Sequence, residues 1–490
     1  MKGPPRQPQA LSLWAAIAFS ATSLPISAVS LAIGVYLPRH YASHLGLELT
    51  AVGAAFFLVR MIDIPVDALL GWGMDRTRTA LGRYRFWTLI GTPIFALGTY
   101  QLFLPPDDIT RNYLIFWLLV MYLGNSIMTI SHVAWAVTLA PKYDQRSRLF
   151  GILAAVGVTG AASVIFVPVV NNLLGGTDSS NVNAMGLLVL VLTPITVGLV
   201  LLTTPETVTK DTGGPKFKLR EYLSLVTRPS FRRILLADLC LSLGPGWMSA
   251  SYLFFFTDSR GFSTAQASVL LAIYILAGMI GAPSMARLAM RISKHRAVMV
   301  GAIGFAVVTS TFLAIPQGSM FWGAVALFSA GFLSSSFTAI TRAMTADVAD
   351  EVRLEGGKEM SALLYAMTAM TSKITGAVAI GLTFFVLSQV GYVAKEGVVN
   401  SAEAIRHLEW VYLAGPIFFV SLGAVCLVGY HLDSETHSEI RRQLDHRDAF
   451  YNEAAVLEGI SAEHSAGVSA EDDPSTYNQL KMKEQEDGTA

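Results

Sequence analysis

The sequence is poor in charge and in cysteine. Asp, Glu, Lys and Arg make up 14% of its 490 residues, and 53% of the residues are hydrophobic. Soluble domains carry about 25% charged residues, so this composition excludes an ordinary soluble domain and indicates a polytopic membrane protein. The two cysteines, Cys240 and Cys426, both lie in apolar runs, so neither a disulfide framework nor a cysteine metal site is expected.

Short catalytic and cofactor motifs are also absent from the sequence. It contains no HExxH, no GxSxG, no Walker loop and no cluster of Cys with His. An enzyme and a bound cofactor are therefore not expected. Nucleic-acid binding is not expected either, because membrane topology accounts for the placement of the basic residues.

Twelve apolar stretches are long enough to cross a bilayer as helices, which takes roughly 20 residues each. They cover 13–37, 50–74, 86–105, 113–140, 149–173, 184–204, 232–256, 264–290, 297–315, 320–346, 360–389 and 408–430. The first is longer than the apolar part of a signal peptide, which has about 7–15 residues, so it is interpreted as an uncleaved membrane helix. The predicted fold class is an all-α membrane protein with twelve transmembrane helices.

One long polar gap divides these segments into six and six, which is typical of transporters built from repeats. The predicted domains are an N-terminal six-helix bundle at 1–204, a central cytoplasmic loop at 205–231, a C-terminal six-helix bundle at 232–431 and an acidic cytoplasmic tail at 432–490. The loops that follow the even-numbered segments hold twenty Lys and Arg residues, against five after the odd-numbered segments. Since Lys and Arg are enriched in cytoplasmic loops, both termini are expected in the cytoplasm.

The tail is strongly acidic. From Asp433 to the end it holds 14 acidic and 5 basic residues. A short helix near 434–457 is possible, but the remainder lacks the apolar content to build a core and is expected to be mostly disordered. A solvated appendage is favoured over a regulatory or partner-binding tail.

The second segment carries charges at the depth where charge is most costly. Its sequence, RMIDIPVDALLGW, places Arg60, Asp63 and Asp67 in the middle of the membrane, where charged side chains are usually functional. The two carboxylates are four residues apart and share one helical face, as a coupling site for Na⁺ or H⁺ requires. Lys373 in the eleventh segment needs a partner, and these carboxylates are the natural candidates. Structural salt bridges, Arg60 with Asp63 among them, are the alternative.

Further polar residues in the segments are candidates for lining a cavity or contacting substrate. They are Asn125, Ser126, Thr129 and His132 in the fourth segment, and Asp238 and Trp247 in the seventh. For the four residues of the fourth segment the alternative is packing and hydrogen bonding between helices, and for Asp238 it is an ion pair with Arg232 or Arg233. Gly244, Pro245 and Gly246 indicate a break or a kink just before Trp247.

Three stretches together resemble the glycoside–pentoside–hexuronide:cation symporters, the branch of the major facilitator superfamily that includes melibiose permease. RMIDIPVDALLGWGMDRTRTALGRYRFW is similar to the second-helix signature of that family. LAPKYDQRSRLFG is similar to the loop between helices 4 and 5, and DVADEVRLEGGKEMSALLYAMTAMTSKITGAVAIG to the region of helices 10 and 11. The signature residues present are Arg60, Asp63, Asp67, Gly71, Asp75, Thr77, Gly82, Arg83 and Arg85.

The resemblance implies the major facilitator fold and the symport of a sugar, glycoside or related small solute with Na⁺ or H⁺ by alternating access. Asp63 and Asp67 would be cation ligands, binding Na⁺ if sodium is the coupling ion, with Arg60 and Lys373 in the same charge network. Thr129, which stands where melibiose permease has a third carboxylate, would be a neutral member of the same cation site. The resemblance further implies a cytoplasmic gate formed by Asp75, Arg76 and Arg83, for which a simple positive-inside anchor is the alternative, and a monomer in the inner membrane of a bacterium.

The chain departs from the sugar-binding members of this family at two positions. They have an acidic residue in helix 1 and an arginine in helix 5, whereas this chain has the uncharged text SATSLPISAVS and Leu153. The loss of this charged clamp makes a less polar solute credible, such as a lysophospholipid carried with a cation. The alternative from another class is a membrane receptor or scaffold that no longer transports.

Overall fold

A computed structural model describes residues 12–449, except 107, 141–142, 207–223 and 357–359. Within this part of the chain, twelve long helices follow one another in the predicted order. Their bounds are α1 Leu13–Ser43, α2 Leu49–Arg76, α3 Tyr84–Phe103, α4 Arg111–Leu139, α5 Tyr143–Leu173, α6 Asp178–Thr203, α7 Pro229–Leu253, α8 Thr264–Ile292, α9 Lys294–Ser310, α10 Met320–Gly356, α11 Ser361–Gln389 and α12 Ala402–Cys426. Eleven of the twelve are long and apolar enough to span a membrane, and α3 is a further helix of 20 residues.

Local sequence explains where several helices begin. Ser12, Thr110, Thr177 and Ser401 each precede a helix and accept a hydrogen bond from a backbone N–H of its first turn. Ser263 forms a capping box with Gln266 at the start of α8. Such side-chain oxygens satisfy amide groups that have no partner inside the helix, so these residues fix the starting points.

Two helices continue well beyond the ends that the sequence predicts. The first helix continues to Ser43 instead of ending near 37, because a π-helical turn at Ala32–Tyr36 leads into a further helical segment with Pro38 in its first turn. Proline is tolerated there because the first-turn N–H has no helical partner. The tenth helix continues to Gly356 instead of 346, as a charged extension.

The Gly244–Pro245–Gly246 stretch does not break its helix, which corrects the interpretation of these residues as an interruption. α7 stays helical through all three, and the irregular turn comes later, as a π-helix at Phe254–Ser259. A side-chain carbon on Gly244 would meet the backbone of Pro416 at 3.2 Å. Gly244 therefore serves the close packing of α7 against α12.

The described residues fall into two compact units. The first contains the described chain up to Thr345 together with Ala362–Tyr430. In this unit α3 packs along α4, α7 along α12 and α1 along α5, and α5 also contacts α8. Its core is formed by side chains on the facing sides of these helices, while many large apolar side chains on the outer sides are exposed, as expected for surfaces that meet lipid.

The second unit joins the extension of α10, Ala346–Ser361, to the described residues from His431 onward. A helix at 434–449, named α13, confirms the start of the predicted tail helix, and the rest of the predicted tail lies outside the described residues. Arg353 donates to both oxygens of Asp448, at 3.0 and 2.8 Å. His437 lies 3.0 Å from Asp350, and Leu444 is fully buried. Most of the predicted central loop, 207–223, also lies outside the described residues.

Candidate functional site

The charges of α2 meet the single lysine of α11. Lys373 Nζ lies 2.7 Å from Asp63 Oδ2 and also contacts Asp67 Oδ2. The ammonium group therefore stands between two carboxylates that are one helical turn apart. The contact predicted from the sequence between Lys373 and these carboxylates is present in the structure.

Arg60 completes a balanced set of four charges. Its Nη1 donates to Asp63 Oδ2 at 3.2 Å, and its guanidinium lies 4.8 Å from the centre of the Tyr122 ring. Asp63, only 4% exposed, also accepts a hydrogen bond of 2.8 Å from Ser126 on α4. Two cations and two anions sum to zero net charge, and their mutual attraction offsets the desolvation free energy of placing them in a membrane.

Close backbone packing brings α11 within reach of α2. A side-chain carbon added to Gly53 would lie 2.8 Å from Phe384 Cβ and 3.2 Å from the carbonyl oxygen of Gly381. Any larger residue at Gly53 would push the two helices apart. Small residues at such crossings let membrane helices approach closely, and here they hold the Lys373 helix against the carboxylates.

The contacts between α2 and α4 also fix the register of these two helices. Arg60 lies against Tyr122 and Asp63 against Ser126, so residue numbers increase together along both helices. The same offset places Thr129 level with Asp67. Asn125 is one turn before Thr129 and shares its face.

Three oxygen atoms of this region have no hydrogen-bond partner within the described residues, although all three are buried. They are Asp67 Oδ1, Asn125 Oδ1 and Thr129 Oγ1. Buried polar atoms are normally paired, since leaving one unpaired costs about 1–3 kcal/mol. Carboxylate, amide and hydroxyl oxygens are hard ligands, so each of the three atoms is chemically suited to a small cation.

The remaining candidates of α4 and α7 have structural partners. His132 is buried, its Nε2 lies 2.9 Å from the carbonyl oxygen of Phe19, and its ring packs against the Phe19 ring at 4.5 Å. Trp247 is buried and donates from Nε1 to the carbonyl oxygen of Val411 at 2.8 Å. Both side chains join neighbouring helices.

Asp238 lies in a different environment. It is 7% exposed and receives the hydroxyls of Thr341 on α10 and Thr371 on α11, at 3.2 and 2.5 Å. The alternative ion pair with Arg233 is not formed, because the Arg233 guanidinium donates to the carbonyl oxygens of Val428 and Gly429.

The predicted gate residues lie at the end of α2 that carries the basic loops. Arg83 Nη2 lies 2.9 Å from Asp75 Oδ1, and Arg76 stacks on the Trp72 ring at 3.8 Å. The carboxylate of Glu206 accepts hydrogen bonds from the backbone N–H groups of residues 83, 84 and 85. It thus caps the start of α3, where negative charge is favourable.

A polar network at the opposite end was not predicted from the sequence. Asp258 accepts from Arg39 of α1 at 3.1 Å and from Tyr392, which follows α11. Burial and then the charge of Asp258 raise the pKa of Tyr392, so its hydroxyl remains a donor. Tyr36 and Ser268 also meet, at 2.8 Å. We call the Arg39–Asp258–Tyr392 group the distal network; charged residues flanking two segments were its only signal in the sequence.

Comparison with known proteins gives the family and the fold. A family model described as MFS/sugar transport protein matches residues 18–434. The chain is 24% identical to a glucuronide carrier protein homolog of Escherichia coli, over 84% of this chain and 91% of that protein. It is also 24% identical to an isoprimeverose transporter of Lactiplantibacillus pentosus, over 82% of this chain and 85% of that protein.

Among solved structures, the nucleoside transporter NupG is similar in fold. Its TM-score is 0.64 at 13% identity, over 85% of this chain and 99% of that structure. At this identity the likeness concerns the fold alone, and it agrees with the twelve-helix architecture described above. The chain is therefore an integral, multi-pass membrane transporter, not an enzyme, and it belongs to the MFS/sugar transport protein family of the major facilitator superfamily.

Proposed function

We propose that this transporter carries a glycoside or a related sugar across the bacterial inner membrane in symport with a monovalent cation. The observation that carries the proposal is the position of the Lys373 ammonium between Asp63 and Asp67. An ammonium group in that place is a tethered cation, so a free cation has a site of matching charge once the lysine moves away.

The unpaired oxygens support the same site. Asp67 Oδ1, Asn125 Oδ1 and Thr129 Oγ1 supply three oxygen ligands in addition to the carboxylate of Asp63. A proton needs only one carboxylate, whereas Na⁺ is held by several oxygens at once, so this ligand set favours Na⁺ over H⁺ at the α2 site. Thr129 contributes a neutral ligand where the related permease has a carboxylate.

The charge count gives a coupling mechanism. Lys373 belongs to the C-terminal six helices, whereas Asp63 and Asp67 belong to the N-terminal six. A cation that replaces the ammonium breaks an ion pair between the halves and frees α11 to move relative to α2. Binding energy that differs between two conformations shifts their populations, as alternating access requires. The distal network joins the halves at one end in the present conformation.

The substrate proposal follows from the family and the relatives. One relative is named as a homolog of a glucuronide carrier protein and the other as an isoprimeverose transporter, and both of the named solutes are glycosides. We expect the orientation in which the basic loops, including the region of Asp75, Arg76 and Arg83, face the cytoplasm, because Lys and Arg are enriched there.

Thermal stability of the purified protein tests cation and solute together. A ligand that binds only the folded state raises the melting temperature. We expect stabilisation by a glycoside in Na⁺ that is weaker in K⁺ at the same ionic strength. Stabilisation by lysophospholipids alone would replace the sugar with an amphipathic solute, and binding without cation-driven flux in vesicles would indicate a receptor.

A further inference from the structure

A second buried carboxyl lies in the C-terminal half, where three helices bring Asp238, Thr341 and Thr371 together. Asp238 is on α7, Thr341 on α10 and Thr371 on α11. Thr371 Oγ1 lies 2.5 Å from Asp238 Oδ2, and Thr341 Oγ1 lies 3.2 Å from Oδ1. Both threonines are more than 100 positions from Asp238 in the sequence, and together they enclose its carboxyl group.

The hydrogen atoms around this carboxyl can be counted. Thr371 Oγ1 is 2.6 Å from the carbonyl oxygen of Thr368 as well as 2.5 Å from Asp238 Oδ2. A hydroxyl carries one hydrogen, and neither a carbonyl nor a carboxylate oxygen can donate. With an ionised Asp238, the single hydrogen of Thr371 must be shared between these two acceptors, whereas a proton on Asp238 that is donated to Thr371 gives each contact its own hydrogen.

Thr341 shows the same competition. Its hydroxyl contacts the carbonyl oxygen of Phe337 and lies near Asp238 Oδ1. Thr341 Oγ1 also lies 3.3 Å from the carbonyl oxygen of Thr338, so with an ionised Asp238 two hydroxyl hydrogens face five oxygen acceptors. A proton on Oδ2 supplies the third hydrogen and completes a chain from Asp238 through Thr371 to Thr368.

Arg342 of α10 attracts a negative charge on Asp238, but it does not form an ion pair with this carboxyl. In the described part of the chain, no Lys, Arg or His nitrogen lies within 4.0 Å of its oxygens, whereas Asp63 has two such cations. An unpaired carboxylate buried in a membrane helix is costly, and such a group takes up a proton instead.

The titratable neighbours on every packed element are engaged elsewhere or exposed. Arg342 of α10 follows Thr341 and is exposed, and Lys373 of α11 is bound to the α2 carboxylates. On α7 itself, Arg233 donates to backbone carbonyls. The free thiol of Cys240 is hydrogen-bonded to the free thiol of Cys426 of α12. None of these neighbours supplies Asp238 with a cation at ion-pair distance.

We propose that Asp238, with the hydroxyls of Thr341 and Thr371, is a proton-binding site. It is distinct from the α2 cluster, which is formed by Arg60, Asp63 and Asp67 of α2 with Lys373 of α11. Its ligand is H⁺, held on Asp238 Oδ2 and donated to Thr371 Oγ1. A cavity of about 560 Å³ begins one turn away, lined by Leu241 and Ser242 of α7 and by Thr338 and Arg342 of α10.

Infrared spectroscopy of the purified protein in K⁺ buffer tests the site without any solute. A protonated carboxylic acid has a carbonyl stretch that a carboxylate lacks. We expect this band at about pH 7, where an ordinary Asp, with a pKa of about 3.9, has lost its proton. The band should disappear in Asp238→Asn and remain in Asp67→Asn and Asp63→Asn.

The opposite results overturn the proposal. Absence of the band in the wild-type protein, its survival in Asp238→Asn, or its loss in an α2 variant would each show that Asp238 is not the proton site. Should Asp238→Asn fail to fold, Thr371→Val removes the acceptor of the proton and should shift the band, and an unshifted band would overturn the proposal too. Neither Na⁺ nor a sugar enters this experiment. The proton site can therefore be disproved while the proposed symport holds, and the symport can be disproved while the proton site holds.

Thermal stability gives an independent measure. When the native state holds a proton that is released on unfolding, raising the pH destabilises the native state. The equilibrium constant for unfolding then rises by up to about tenfold per pH unit. The wild-type melting temperature should therefore fall relative to that of Asp238→Asn as pH increases above about 5. Parallel pH profiles for the two proteins would contradict a proton on Asp238.

Discussion

Asp63 and Asp238 are both carboxyl groups buried in membrane helices, and their surroundings differ in one respect. Asp63 has two cations within ion-pair distance, Arg60 and Lys373, whereas Asp238 has the hydroxyls of Thr341 and Thr371. A carboxylate neutralised by a mobile ammonium can exchange that partner for a free cation. A carboxyl among hydroxyls is neutralised by a proton. The same residue type therefore serves different ions according to what the neighbouring helices present.

Asp63→Asn should have the largest effect. The change removes the negative charge that Arg60 and Lys373 share at Asp63 Oδ2 and leaves two buried cations with one anion, while the amide oxygen can still accept from Ser126. Breaking a buried pair by removing one partner costs about 3–5 kcal/mol. We expect the cation affinity, measured through cation-dependent stabilisation, and the rate of cation-driven uptake to fall roughly 100-fold or more.

Asp445→Asn is the matched control for this variant, because Asp445 is an exposed carboxylate of α13. It should behave as the wild-type protein in both measurements. Retention of normal cation dependence by Asp63→Asn would remove the α2 cluster from the mechanism.

Lys373→Ala should come next and act in the other direction on cation binding. Without the ammonium, Asp63 and Asp67 face each other as like charges, and a free cation no longer competes with Lys373, although Arg60 still pairs with Asp63. We expect the cation to bind about tenfold more tightly or better, which corresponds to about 1.4 kcal/mol, while coupling to solute is lost. Titration of the melting temperature with NaCl, at constant ionic strength, measures the affinity.

Lys395→Ala, in the segment between α11 and α12, controls for the loss of a lysine elsewhere. Equal cation affinities in Lys373→Ala and in the wild-type protein would show that the ammonium does not occupy the cation position.

The distal network should contribute less, because it lies at the end of the helices and is partly exposed. A double-mutant cycle of Arg39→Ala and Asp258→Asn should give a coupling free energy of about 1–2 kcal/mol in thermal or denaturant unfolding. Cation affinity at the α2 site should change little in the single variants. Strict additivity of the two changes would show that the Arg39–Asp258 ion pair contributes nothing to the stability of the distal network.

Asp448→Ala should have the smallest effect. Its carboxylate binds Arg353 in the second unit, and both side chains are about a third exposed, so the pair contributes about 0.5 kcal/mol. We expect faster proteolysis of α13 and no change in cation-dependent stabilisation. A changed cation response would connect the second unit to the transport site.

The α2 cluster was largely predictable from the sequence, whereas the Asp238 site was not. A lysine in an apolar segment must find a carboxylate, and RMIDIPVDALLGW offers the pair of carboxylates that Lys373 contacts. Asp238 has no comparable requirement for one partner, because many hydroxyls could serve. Only the packing of α7 against α10 and α11 selects Thr341 and Thr371.

The sequence by itself determined the number and order of the membrane helices, since the bilayer requires long apolar segments with internally bonded backbones. It also determined the charges that had to be paired. The tertiary structure alone decided which oxygens are left unpaired beside Asp67, which hydroxyls surround Asp238 and which residues join the distal network. These outcomes depend on helix register and crossing, which contacts between distant residues fix and no local pattern encodes.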